Sequence, residues 1–175
     1  MRKGELVTLT GGTGLGKSSV TRELEHWLIK NTTDNVGIVA LEENWWRTAD
    51  GIVSIEANDR LYLAEKRAKY SDKQLETLFD SVIEDGRVFI HAHLGATNVD
   101  EIFSKLRYII VGCKCEWVVV DHLHMLINVM TEGDERRGID NLMTRLRSLV
   151  EETGVGMLLV SHLRRAAGEK GHEQG

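Results

Sequence analysis

One short segment near the start of the chain constrains its fold more than anything that follows. Gly11-Gly12-Thr13-Gly14-Leu15-Gly16-Lys17-Ser18 comes after an apolar run, Leu6–Thr10, and before a helical one, Ser18–Lys30. A G-x-x-x-x-G-K-[ST] loop between a strand and a helix is a phosphate cradle. Its glycines let successive backbone N–H groups converge on one anion. The helix behind it turns its N-terminus towards the same anion. Lys17 adds a point charge for the outer phosphates. Ser18 adds a hydroxyl oxygen of the kind magnesium accepts as a ligand. Average residue usage would produce the pattern by chance in roughly 1% of chains this long. Gly11, Gly12, Thr13, Gly14, Leu15, Gly16, Lys17, Ser18 and the adjoining Ser19 are therefore expected to hold a nucleoside triphosphate, ATP or another NTP or dNTP, with Mg2+.

The rest of the chain alternates short β-like runs with helical ones. Val36–Leu41, Val88–His91, Trp117–Val120 and Met157–Val160 read as further strands. Trp45–Glu84 reads as helix in two or three pieces, and Val99–Val111 has helical spacing. Asp134–Thr153 is the clearest helix: Ile139, Leu142, Met143, Leu146, Leu149 and Val150 share one face. Gly154 suits its stop. This alternation predicts an α/β fold, a mostly parallel sheet flanked by helices on both faces. Such sheets take ligands at the carboxyl ends of their strands. The polar residues of interest fall there: Glu42-Glu43, Asp121-His122 and Ser161-His162. Asp121, at the end of an apolar strand, is placed to hold magnesium directly or through water. Hydrolysis also needs a group that orients and deprotonates water. No glutamate follows Asp121, so Glu42 or Glu43 must serve. A polar residue after the fifth strand, Ser161 or His162, can contact the γ-phosphate.

Size and composition exclude several other classes. The chain has 175 residues, the size of one domain. Its apolar runs are too short to span a bilayer, and Met1-Arg2-Lys3 does not open a secretory leader. A net charge of -5 argues against a broad nucleic-acid surface but leaves room for a few basic residues on one loop. Cys113 and Cys115 sit too close for an ordinary disulfide and lack the partners that zinc needs, so a reducing cytoplasm is the expected location. His91, His93 and His124 have no evident set of metal ligands around them.

The motifs together resemble a family. Gly11–Ser18, Leu41-Glu42-Glu43, Val120-Asp121-His122 and His162-Leu163 look like the RecA-type P-loop core of DnaB-like replicative helicases. The likeness is strongest to the helicase half of phage primase-helicases and to the mitochondrial helicase Twinkle. Asp134-Glu135-Arg136-Arg137, Ile139 through Thr144, and the tail from His162 to Gly175 also look like the phage members. The resemblance implies Glu42 as catalytic base, Lys17 and Ser18 on phosphate and magnesium, Asp121 on magnesium and His162 as γ-phosphate sensor. It also implies that the fifth strand lies between the first and fourth, with the second beside the fourth. It divides the chain into a core, 1–163, and a basic loop, 164–175, whose Arg164, Arg165 and Lys170 would touch single-stranded DNA. The implied assembly is a hexameric ring acting in replication.

The family's arginine finger, primase part and linker helix are not found in the chain. It therefore reads as a core cut from a longer protein, with slow turnover expected of it alone. Two other readings share the same loop: a RecA-type recombination or repair ATPase, and a nucleotide-switch assembly ATPase that does not unwind DNA.

Overall fold

Runs of β-branched residues form the centre of the molecule. In the computed structural model, which describes residues 1–12, 14–83, 85–92, 99–121 and 135–162 (the side chains of Glu135, Arg136 and His162 excepted), Val118, Val119 and Val120 are all buried. They belong to β4 (Cys115–Asp121), and a strand apolar on both sides must be covered on both faces. β1 (Leu6–Gly11), β2 (Asn35–Ala40), β3 (Val88–Ala92) and β5 (Gly156–His162) complete a five-stranded sheet in the order β1-β5-β4-β2-β3. Every neighbouring pair is parallel. This is the expected sheet, with the expected neighbours for β5 and β2.

Alternation along β4 divides its side chains between two cores. Val118 and Val120 face α5 (Val99–Arg107) and α6 (Glu135–Thr153), where they meet Leu106, Leu142, Leu146 and Leu149. Trp117 faces the other way and packs with α1 (Lys17–Asn31), α2 (Trp45–Glu56) and α4 (Asp72–Ile83), where Leu28, Ile52 and Val82 are buried. Val119 lies on that side too, against Leu158, Val160 and Leu24. The charged stretch after β2 is thus three helices, with the short α3 (Ala64–Arg67) between α2 and α4. Arg87 closes the C-terminus of α1 by donating to the carbonyls of Ile29 at 3.2 Å and Thr32 at 2.8 Å.

One element differs in kind from the sequence reading. The helical spacing of Val99–Val111 spans α5 and then a π-helical turn, Tyr108–Gly112. The wider turn buries Ile109 and Ile110 in succession and leaves Tyr108 and Val111 exposed. Cys115 packs in the same core, where burial pushes its thiol up to about 12, so it is a protonated packing group. Among the described residues, no helix is long and apolar enough to cross a membrane. Thr13, Glu84, His93, His122, His124, Asp134, Leu163, Arg164, Arg165 and Lys170 lie outside the described residues.

Gly37, in β2, is where the π-helical turn comes closest to the sheet. A Cβ there would overlap Ile109 Cγ2 and press on Val118 Cγ2 at 3.3 Å and Cys115 Sγ at 3.4 Å. Gly37→Ala should therefore lower stability by about 1–3 kcal/mol in urea denaturation. An unchanged midpoint would mean that the packing here is looser than described.

Candidate nucleotide site

The loop after β1 has the backbone that a phosphate cradle requires. Gly14 and Gly16 have φ of 82° and 80°, a left-handed conformation costly for any residue with a Cβ. Gly16 is the N-cap of α1, which has no side-chain cap and no acid in its first turn. Its leading N–H groups are therefore left to the loop, with no carboxylate competing for them. Lys17 is buried, and its Nζ donates to the carbonyls of Gly11 at 2.8 Å and Gly12 at 2.7 Å. Those bonds fold the ammonium over the start of the loop. Ser18 and Ser19 are exposed on the first turn of α1.

Parallel pairing brings the remaining residues to the same rim. Gly11 is in register with His162, so the backbone at the end of β5 lies beside the start of the loop. Asp121 is in register with Val160 of β5 and Ala40 of β2. It is buried, with 4% of its surface exposed. Leu41 N–H donates to the Asp121 carbonyl at 2.8 Å, which ties the exit of β2 to the aspartate and puts Glu42 next in the chain. Glu42 is exposed, whereas its neighbour Glu43 is half-buried and held. Thr48 Oγ1 donates to Glu43 Oε1 at 2.7 Å, and Arg22 Nη2 donates to the same oxygen. The residues described on this rim are thus Gly11, Gly12, Gly14–Ser19, Glu42, Asp121 and the His162 backbone.

The profile of the DnaB-like helicase C terminal domain matches residues 1–174 of this chain. The chain belongs to this family. It is 30% identical to a DNA helicase/primase of Enterobacteria phage T3 over 176 aligned positions, which cover 99% of the chain and 31% of that protein. The chain therefore spans about a third of that relative's length. Among solved structures, a separate ATPase domain matches with a TM-score of 0.76 at 18% identity, covering 94% of this chain and 59% of that one. A KaiC-like protein from Pyrococcus horikoshii matches with a TM-score of 0.62 at 19% identity, covering 92% and 62%. These likenesses establish a RecA-like ATPase fold.

Two charged residues of this DnaB-like domain were not singled out from sequence. Arg22 and Glu25 lie on α1, buried at 7% and 0% exposure, and Arg22 Nη1 donates to Glu25 Oε2 at 2.7 Å. The signal that could have found them is spacing: Lys17, Thr21 and Glu25 follow one another at i+4 and share a buried face. A cavity of about 820 Å3 opens beside them, lined by Ser18, Arg22, Glu43, Arg47, Tyr62 and Lys66 among others. It borders the loop at Ser18 but takes no lining from Gly11 to Lys17, so it adjoins the cradle without being it.

Burial pushes the Glu25 carboxyl up to about 7, and the nearby Asp121 adds to the rise. The Arg22 guanidinium opposes it without winning. Glu25 Oε1 has no hydrogen-bond partner among the described residues, as suits a group that is neutral over part of the working range. The folded state therefore holds a proton that the unfolded state releases near 4.5. This contribution is complete below pH 4.5 and is lost as pH rises towards 7. Glu25→Gln should thus gain on the wild type by up to ~3 kcal/mol between pH 4.5 and 8, measured by urea denaturation. A difference independent of pH would contradict the raised value.

Proposed function

We propose that this chain is the motor core of a replicative DNA helicase, which hydrolyses ATP or another NTP or dNTP with Mg2+ and moves along single-stranded DNA. The observation that carries the reading is the shared rim. The cradle, a buried aspartate and an exposed glutamate meet at the carboxyl ends of β1, β4 and β2 in a chain of the DnaB-like family. The phage relative's description as a DNA helicase/primase supports the same reading.

The residues present fit magnesium. Ser18 offers an exposed hydroxyl on the first turn of α1, and Asp121 offers a carboxylate across the sheet from it. Both are hard oxygen ligands, and magnesium keeps water and phosphate oxygens for the remainder. The ion would draw charge from the phosphate oxygens. Lys17, now bonded to loop carbonyls, carries an ammonium within reach of the outer phosphates. Glu42 takes the proton of the attacking water. Glu43 is the weaker candidate because its carboxylate already accepts from Arg22 and Thr48. His162, following Ser161 at the end of β5 beside Gly11, senses the γ-phosphate. Arg164, Arg165 and Lys170 then contact DNA phosphates without regard to sequence. The parent protein works as a hexameric ring in the cytoplasm of a bacterial or phage-infected cell.

Glu42→Gln should keep ATP affinity within about threefold and lower turnover by about 10²-fold or more. Retained turnover would move the base elsewhere. Single-stranded DNA should stimulate hydrolysis, and DNA-independent turnover in the full-length parent would favour a nucleotide switch instead. Arg164→Ala with Arg165→Ala should weaken single-strand binding and reduce the slope of log K against log salt by about 0.7 for each phosphate that is no longer neutralised. An unchanged slope would remove these arginines from the DNA surface.

A further inference from the structure

We propose that Arg22 is the positioning residue for Glu42, acting through Glu43; this rests on Glu42 being the base. Arg22 lies on α1, the same rigid helix that carries Lys17 and Ser18. Its side chain is pressed against α2, where a Cβ on Gly51 would come within 2.9 Å of Arg22 Nε. From that slot the guanidinium forks. Nη1 reaches Glu25 Oε2 at 2.7 Å, and Nη2 reaches Glu43 Oε1. Thr48 Oγ1, from α2, closes on the same Glu43 oxygen at 2.7 Å.

The consequence falls on the residue between the anchors. On one side of Glu42, Leu41 N–H is bonded to the Asp121 carbonyl at 2.8 Å. On the other, the Glu43 carboxylate is clamped to α1 and α2. Glu42 has no latitude to swing with a loose loop, because both flanking residues are tied to the elements that carry the cradle and Asp121. An exposed carboxylate that must align a water gains its accuracy from the backbone behind it. A 1 Å misplacement of a reacting group can cost about 10²-fold in rate. Guanidinium suits the task because it stays charged when buried and bonds in fixed directions to two carboxylates at once. Lysine has no planar fork and should replace it only in part.

The test compares Arg22→Gln, Arg22→Lys, Glu43→Gln and the double variant R22Q/E43Q with wild type and Glu42→Gln. Hydrogen–deuterium exchange of the backbone and ATP affinity by calorimetry are read beside turnover with single-stranded DNA. Arg22→Gln and Glu43→Gln should each speed amide exchange across residues 41–44 by about tenfold or more and leave exchange at residues 17–19 unchanged. Turnover should fall by about tenfold to 10²-fold with ATP affinity within about threefold. Arg22→Lys should recover part of both losses, and the double variant should be no worse than the poorer single one. Unchanged exchange at 41–44 in Glu43→Gln, a variant at a half-buried site that leaves the fold intact, overturns the proposal. Equal loss of protection across the whole of α1 and α2 also overturns it, since Arg22 would then be a general structural group. If Glu42→Gln loses turnover but Arg22→Gln and Glu43→Gln keep it, the proposal fails and the base reading stands. If Glu42→Gln keeps turnover while the other two lose it, the base reading fails and Arg22 serves Glu43 directly.

Discussion

Parallel pairing of β1 with β5, β5 with β4 and β4 with β2 is the constraint on which the rest of the structure depends. Parallel strands leave the sheet along one rim, so four loops that are distant in sequence emerge side by side. The first becomes the cradle, because α1 begins as soon as the glycine turn ends. The others deliver Glu42, Asp121 and His162. Parallel sheets also need cover on both faces. The two main hydrophobic cores provide it, and they hold the rim at a fixed separation.

The rim is costly to hold together. Lys17, Arg22, Glu25 and Asp121 are all buried close to it, where an unpaired charge would destabilise the fold by several kcal/mol. The structure offsets this in different ways. Lys17 leans on backbone carbonyls, Arg22 is shared between two carboxylates, and Glu25 takes up a proton near neutrality. α1 therefore acts as more than a dipole aimed at phosphate. Its buried polar face links the cradle to the exit of β2, and that link connects the fold to the accuracy of the candidate base.

Much of this was legible in the sequence, for reasons that differ by element. Val118–Val120 could only be a strand buried on both faces, and Leu142, Leu146 and Leu149 could only be one side of a helix. The cradle was legible because glycine at 14 and 16 meets a backbone requirement that few residues satisfy. Strand order was not legible from periodicity, which carries no pairing information; it came from the family resemblance. Arg22 and Glu25 were missed because charged residues on a helix ordinarily face solvent. Only their spacing from Lys17 marks them as inward. The choice between Glu42 and Glu43 was equally closed to sequence. It turns on which carboxylate Arg22 and Thr48 capture, an interaction between α1, α2 and a loop. The π-helical turn was hidden because its apolar residues also satisfy ordinary helical spacing.

All of the chemistry proposed for this chain requires a triphosphate with magnesium on the loop from Gly11 to Ser18, held there by Lys17. Calorimetric titration of Mg2+·ATP into the wild type and into Lys17→Ala tests this most directly. Saturable one-site binding is expected for the wild type. Affinity should be lower by about tenfold or more in the variant, since a charge-assisted hydrogen bond contributes about 1.5–3 kcal/mol. Equal affinity in the two proteins would contradict the assignment.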